Sequence, residues 1–399
     1  MKLGISKKLI KDVGLNIGAV VFSTAILQLI ILPLAEKNMG EEQFGAMITV
    51  VAFIQLVAGS FANALNNVRL IRNNKEGKTG IYNLLTIIFS VVSCVMVVGY
   101  CIINSISLSF ADIIALIVLS IVVLLADYYS VYYRLKLNYT MVLISSVLSS
   151  VGYFVGLLIF NFSGVWHFIY LMAYLASTIL AAIYGKPHLE GLTAKAEDKE
   201  VVTSTGMLVL AKFLGRISTY ADKIIMLPIL GGAAVTVYYQ ASLLGKCLSM
   251  VISPLNNVIL SHLCSSNKKK NQFWYTLIFG GACCFSFYIV ATLLERPFLM
   301  ILYPDAVDEA MKYIYLTNLA AVLMTLVSML EPFVLKNCKL VVQLIINGGV
   351  SAVYCISTLT LGMIGGLMGF CIACVLSYIV KLIIVIVVYK SRRLNLEES

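Results

Sequence analysis

The run Ile113-Ile114-Ala115-Leu116-Ile117-Val118-Leu119-Ser120-Ile121-Val122-Val123-Leu124-Leu125 leads directly into Ala126-Asp127-Tyr128-Tyr129. No charge interrupts the run. Extended to 110–133, it exceeds the ~20 residues that a helix needs to cross a ~30 Å hydrocarbon layer. The apolar residues are continuous rather than alternating, which excludes the strand of a transmembrane barrel. The same pattern recurs along the whole chain. It predicts twelve spans, at 12–35, 44–68, 80–104, 110–133, 139–160, 166–186, 203–231, 236–263, 272–295, 312–336, 340–362 and 366–389.

Composition agrees. The chain has 399 residues, of which 60% are hydrophobic and 12% charged. Soluble domains carry about 25% charged residues. Mean hydropathy is +0.96. A soluble fold of this size has no interior large enough for so much apolar surface. Soluble enzymes, disordered chains, collagen and small disulfide scaffolds are excluded. The first run, Val13 to Ala35, is too long for a secretory signal and reads as a retained helix. The cysteines lie mostly inside apolar runs, as Cys94, Cys283, Cys284 and Cys355 do, and Cys371 and Cys374 form a CxxC. They read as packing residues without a disulfide.

The net charge of +10 comes from loops. With the N-terminus inside, 21 Lys and Arg fall in inner segments and three (Lys37, Arg296 and Lys312) fall in outer loops. This bias places both termini in the cytoplasm and accounts for the basic character without nucleic acid. The outer run Pro297 to Tyr303 reads as an interfacial element or an extension of the ninth span.

The chain also repeats itself. Leu65-Asn66-Asn67-Val68 ends the second span, and Leu255-Asn256-Asn257-Val258 ends the eighth. Leu32-Pro33-Leu34 in the first span matches Leu227-Pro228-Ile229 in the seventh. Two parallel six-helix repeats follow, related by an axis along the membrane normal. The fold expected is an all-α polytopic membrane protein with a lobe at 1–186, a cytoplasmic linker at 187–202 and a second lobe at 203–399. That is the layout of an alternating-access transporter.

Eight charges, away from most span ends, read as embedded. The bases are Lys212, Arg216, Lys223, Lys246 and Lys381, and the acids are Asp127, Asp222 and Glu331. At 100° per residue, Lys212, Arg216 and Lys223 form one stripe on the seventh span. Each embedded charge costs roughly 2.5–3.5 kcal/mol. Four on this span cost about 12 kcal/mol, and its apolar residues return only about 5 kcal/mol. The stripe therefore faces the bundle interior or water rather than lipid. Arg216 sits near mid-span and cannot easily snorkel. A structural ion pair with Asp127 or Asp222 is one reading of it. The other is an anion site, because the planar guanidinium binds phosphate bidentately. Lys212, Arg216, Lys223 and Lys246 are the candidate contacts for phosphate or pyrophosphate. Ser218, Thr219, Tyr220, Tyr238, Tyr239, Gln240 and Ser242 are candidate cavity lining, with Asn16, Gln28, Gln55, Asn63, Asn66 and Asn67 in the first half. Tyr129, Tyr132 and Tyr133 read as an aromatic belt. There is no Walker A motif, metal-ligand spacing or nucleophile with its base. No cofactor and no catalytic residue is predicted.

One family resemblance rests on particular residues. Tyr220-Ala221-Asp222-Lys223-Ile224-Ile225-Met226-Leu227, then Gly231-Gly232 and Val237-Tyr238-Tyr239-Gln240-Ala241-Ser242-Leu243-Leu244, resembles the second-half signature of Wzx-type polysaccharide flippases. Gly40-Glu41-Glu42-Gln43-Phe44-Gly45 is similar to that family's first-half turn. These flippases belong to the multidrug/oligosaccharidyl-lipid/polysaccharide exporter superfamily. The resemblance implies a multi-pass protein of the bacterial cytoplasmic membrane. It implies flipping of an undecaprenyl-pyrophosphate-linked oligosaccharide to the outer leaflet, for O-antigen, capsule or exopolysaccharide. Membrane lipids and the polysaccharide polymerase and export machinery are the implied partners. The first span lacks an embedded charge, so the basic cavity is one-sided. Coupling to H+ or Na+, membrane potential or the substrate gradient all stay open, with Asp127, Asp222 and Glu331 as the candidate coupling acids. The rival within the superfamily is a multidrug cation antiporter, which wants acids where this chain has bases. A membrane-embedded glycan polymerase or ligase is a third reading, and the short outer loops disfavour it.

Overall fold

The computed structural model describes residues 7–76, 80–106, 108–192, 198–247, 272–337 and 340–397, and its regular structure there is all helical. The helices are α1 (Lys7–Ile26), α2 (Leu32–Met39), α3 (Glu41–Glu76), α4 (Ile81–Ile103), α5 (Phe110–Tyr129) and α6 (Val131–Leu135). They continue with α7 (Tyr139–Ser163), α8 (His167–Gly185), α9 (Lys199–Ala241), α10 (Gln272–Leu302), α11 (Val307–Met311), α12 (Ile314–Asn337) and α13 (Leu340–Glu397). Ten helices among the described residues are long and apolar enough to cross a membrane. The second part of the eighth expected span, with Asn256 and Asn257, lies outside the described residues, as do Lys2, Lys78, Lys195, Lys268, Lys269, Lys270 and Lys339.

The backbone departs from straight helices at a few positions with clear causes. A π-turn, Leu27–Ile31, joins α1 to α2 just ahead of Pro33, a residue that cannot donate to the helical ladder. α9 breaks at Gly231 (φ 83°, ψ 174°) and α13 at Gly366 (φ 57°, ψ −145°). Both conformations lie in the half of backbone space that only glycine enters without strain. The first break ends the expected seventh span at its predicted boundary. The second divides the long apolar stretch Ile345–Ser391. The run Pro297 to Leu302, expected on the outer side, continues α10 as helix.

The chain forms two compact units. Unit 1 comprises Met1–Gly40 and Ala46–Tyr220, and unit 2 comprises Glu41–Gly45 and Ala221–Ser399. In unit 1, α7 and α8 pack at backbone distance. Gly152 and Gly156, one turn apart on α7, face the backbone of Ala173, Phe168 and Ile169 with no space for a Cβ. Such close approach is what drives helix association in lipid, where apolar burial gives little. Ser93 and Ser120 join α4 to α5 at 2.7 Å, and Thr178 of α8 donates to the Val122 carbonyl of α5 at 3.3 Å. In unit 2, Phe273, Val327, Leu330, Phe333, Val334 and Val385 bring α10, α12 and α13 into one core.

Two sequence readings change here. Arg69 and Arg72, read as loop charges, are paired. Arg69 is buried, bridges to Glu190, and donates to Tyr128 at 2.6 Å and Tyr132 at 3.2 Å. Arg72 meets Glu200 at 2.8 Å. Tyr132 and Tyr133 are buried, so they are not a belt at the membrane surface. The Arg69 guanidinium also lies 4.7 Å from the Tyr132 ring centre, which gives that aromatic a cation–π role. These contacts pin the turn Pro187–Glu190 onto unit 1, and Asn83 adds hydrogen bonds to the carbonyls of Pro187 and Gly191.

The Gly40–Gly45 motif acquires a physical reason in unit 2. The Glu42 carboxylate accepts from Gly232 N–H and Ala233 N–H, both at 2.8 Å. Thr236 Oγ1 donates to the Glu41 carbonyl at 2.6 Å. Gly45 and Gly232 meet backbone to backbone. Glu42 thus caps the helix that restarts after Gly231, satisfying donors that the break orphans and matching the positive helix end with a negative charge. Replacing Glu42 by Ala is expected to cost about 1–2 kcal/mol, the range of a lost N-cap. Thermal unfolding of the purified variant in detergent, beside Glu42→Gln as the milder change, measures it.

Candidate functional site

α9 carries the basic stripe, and the structure places its members in different surroundings. Lys212 and Arg216 belong to unit 1, and Lys223 belongs to unit 2. Arg216 is half-buried. Its Nη1 donates to the Gln55 carbonyl of α3 at 2.8 Å. The guanidinium lies against Gly59, where any Cβ would overlap it. This seat fixes the base of the fork through one N–H. The other four donors of the guanidinium have no hydrogen bond among the described residues.

The charges around Arg216 are unbalanced. Asp127 of α5 is half-buried and feels Arg216 and Arg134. Lys212 feels the same two arginines. Among the described residues, Arg216 and Arg134 thus both act on Asp127, and Lys212 lies within electrostatic reach of the two arginines. Asp127 is held by its backbone, since Asn66 Nδ2 donates to its carbonyl at 2.8 Å and Ser130 Oγ at 2.7 Å. Asn66 is thus a bridge between α3 and α5. Beside this cluster, Gln55 Nε2 donates to the Tyr174 hydroxyl at 2.6 Å, and Tyr174 shares a hydrogen bond with Tyr153. Tyr220 and Asp127 lie within electrostatic reach of Tyr174. The cluster combines cations, hydroxyls and an amide, which are the groups that hold phosphate and sugar.

Among the described residues, the embedded cations of unit 2 are paired. The buried Asp222 carboxylate meets Lys246 Nζ at 2.8 Å and Lys223 Nζ at 3.3 Å. Lys246 also lies 5.0 Å from the Tyr238 ring centre. Two lysines on one carboxylate leave a single positive charge. Lys381 pairs with Glu331 at 2.8 Å and is neutral as a pair. Outside the spans, Glu309 bonds Lys312 and holds its ammonium above the usual lysine range.

Of the predicted contacts, the structure brings Arg216 within electrostatic reach of Asp127 and Lys212 within reach of Arg216, and groups Lys223 and Lys246 on Asp222. The side chain of Ser218 lies outside the described residues. Arg134 was missed because it was counted with the inner loops. The available signal was its spacing of seven residues, two helical turns, after Asp127. Tyr153 and Tyr174 were missed because single tyrosines in apolar runs carry no pattern.

No protein-family model and no curated protein matches the chain. Solved structures do. The chain is similar to an inward-facing multidrug resistance MATE family transporter of the MOP superfamily, with a TM-score of 0.62 and 14% identity over 98% of this chain and 97% of that one. It is similar to the lipid II flippase MurJ in an inward closed conformation, with a TM-score of 0.66 and 12% identity over 98% and 90%. It is also similar to a MOP superfamily transporter from Pyrococcus furiosus, for which reverse polarity of the binding pocket suggests a different function (TM-score 0.55, 13% identity, 96% of each chain). The chain has the fold of these transporters and is a multi-pass helical membrane protein.

The Asp222 cluster sets a stability expectation. Removing the carboxylate leaves two lysines at membrane depth without a counter-charge, which costs roughly 3 kcal/mol or more for a buried pair. Asp222→Ala is expected to lower the unfolding temperature clearly, and Asp222→Ala with Lys246→Met is expected to recover part of the loss. Thermal melts of both in one detergent decide it. Equal melting of wild type and Asp222→Ala would remove the structural role assigned to the triad.

Proposed function

We propose that this protein flips a polyprenyl-pyrophosphate-linked oligosaccharide across a bacterial cytoplasmic membrane by alternating access. Two six-helix repeats, 1–186 and 203–399 around a cytoplasmic linker, would supply the moving parts, with both termini cytoplasmic and twelve spans in all. The observation that carries the reading is the cation excess at Arg216. Among the described residues, Arg216 and Arg134 act on Asp127, Lys212 lies within reach of both arginines, and the Arg216 fork is anchored by a single N–H. An uncompensated guanidinium in a spanning helix is costly unless an anion or water meets it. A pyrophosphate meets it with paired oxygens. Gln55, Tyr153, Tyr174 and Tyr220 would face the sugars. Lys223 and Lys246, already drawn to Asp222, would contribute a weaker positive field. The likeness to a lipid II flippase supports a lipid-linked cargo, and a surface-polysaccharide polymerase is the partner that would use the product.

A second reading, multidrug cation antiport, is favoured by the likeness to MATE transporters and by Asp127 lying near Tyr153 and Tyr174. An aromatic pocket with one acid suits an organic cation. The two positive charges in excess of Asp127 oppose it.

Complementation separates the two. In a strain lacking its own polysaccharide flippase, wild type is expected to restore surface glycan. At matched membrane abundance, Arg216→Ala and Arg216→Glu are expected to abolish it, and Arg216→Lys to retain a fraction. Restoration by all variants would make Arg216 structural. Failure of wild type across several glycans, together with Asp127-dependent resistance to cationic dyes, would establish the antiporter instead.

A further inference from the structure

Unit 2 holds a carboxyl group that none of the preceding chemistry uses. On α10, Ala291, Glu295 and Leu299 recur every four residues and are buried, while Leu293, Leu294 and Ile301 are exposed. Glu295 therefore points into the protein and not toward lipid. Its side chain and that of Asn318 on α12 have no exposed surface. Asn318 Nδ2 donates to Glu295 Oε2 at 3.0 Å. Among the described residues, Glu295 Oε1 and Asn318 Oδ1 have no well-formed hydrogen-bond partner, and the backbone of Leu244 is the next polar group to the carboxyl. Gly245 closes the site from the continuation of α9, since a Cβ there would stand 2.6 Å from Asn318 Oδ1.

No cation reaches this carboxyl among the described residues. Arg296, the next residue, is exposed and turned toward Asp308 at 3.9 Å. Lys246 is turned to Asp222 at 2.8 Å. The groups that act on Glu295 from its neighbours are Asn318, the backbone of Leu244 and the Cys247 thiol, with Tyr239 next to Cys247. All are neutral. A buried carboxylate surrounded by neutral groups neutralises itself rather than remain charged. A proton does this with the atoms present, turning the orphaned Oε1 into a donor. A hard metal cation takes roughly six oxygens, and two orphaned oxygens fall well short of that.

We propose that Glu295, held against Asn318, is an exchangeable proton-carrying site, and that transport by this protein is coupled to protons through it. The inference deepens the transport reading above and rests on it for the coupling, but the proton site itself is measured separately.

The purified full-length protein is placed in phosphatidylethanolamine/phosphatidylglycerol vesicles and treated with dicyclohexylcarbodiimide, which modifies protonated carboxyls in apolar surroundings. Modified peptides are read by mass spectrometry. Labelling of Glu295 is expected at neutral pH, falling about tenfold per pH unit once its titration is passed. Sodium in place of choline at fixed pH is expected to leave labelling unchanged. Glu295→Gln, which mimics the protonated acid, is expected to fold normally and to lower surface glycan at least about tenfold in the complementation strain, a loss of more than about 1.4 kcal/mol in activity. If that variant does not fold, the wild-type pH series decides alone. Absence of labelling between about pH 5 and about pH 9 overturns the proposal, as does labelling that never declines over that range. Protection by sodium overturns it in favour of a metal-cation site. Full complementation by Glu295→Gln overturns the coupling. If wild type fails to complement, the labelling still reports on the proton site, so the two readings fail separately.

Discussion

A bare charge in hydrocarbon is the constraint on which the rest of this structure depends. The chain meets it in three ways. Some charges are paired outright, as Lys381 is with Glu331 and Arg69 with Glu190. Others share a partner, as Lys223 and Lys246 share Asp222. The third group is in excess, since Arg216 and Arg134 act on Asp127 and Lys212 lies within reach of both arginines. Pairing meets the constraint within the protein, and the cations near Asp127 are the ones on which the proposed anion site rests.

The backbone obeys a parallel constraint. Lipid offers no hydrogen bonds, so every interrupted helix must be repaired from within. The break at Gly231 frees donors that the Glu42 carboxylate takes up. Near the end of α9, Thr317 Oγ1 donates to the Ala241 carbonyl at 2.6 Å. Each repair comes from a residue distant in sequence. The repairs tie elements together, so the same breaks that interrupt helices also fix how they pack inside unit 2.

Much of the fold was legible because hydropathy and length act locally. The run before Asp127 is a membrane helix whatever surrounds it. Gly231 and Gly366 mark their own breaks. Partnership between helices was not legible. The spacing of Lys212, Arg216 and Lys223 gives one stripe on an isolated helix, yet Lys223 turns to Asp222 while Arg216 seats against Gly59. Arg69 and Arg72 looked like loop charges because the acids that pair with them lie more than a hundred residues away. Glu295 looked like the edge of an outer loop because hydropathy falls there. Its burial goes with α10 continuing through Pro297 to Leu302, one of the two readings that the sequence left open for that run.

The charge arrangement gives the two units different chemistry. Around Arg216, unit 1 offers a positive field with hydroxyl and amide groups beside it, suited to an anion bearing sugars. Unit 2 draws Lys223 and Lys246 onto Asp222 and Lys381 onto Glu331, and holds the buried acid Glu295 with no cation beside it among the described residues. A cation excess in one unit attracts an anion, and an acid without a counter-charge in the other attracts a proton. Under the two proposals, an anion at the first site and a proton at the second would each offset an electrostatic cost. Both ligands therefore favour states in which their charge is buried with its partner, and any state that exposes one site to water weakens that preference. Coupling needs only that the two sites prefer the same exchange of states, and the separation of the charges by unit lets each ligand bias that exchange without competing for the same residues.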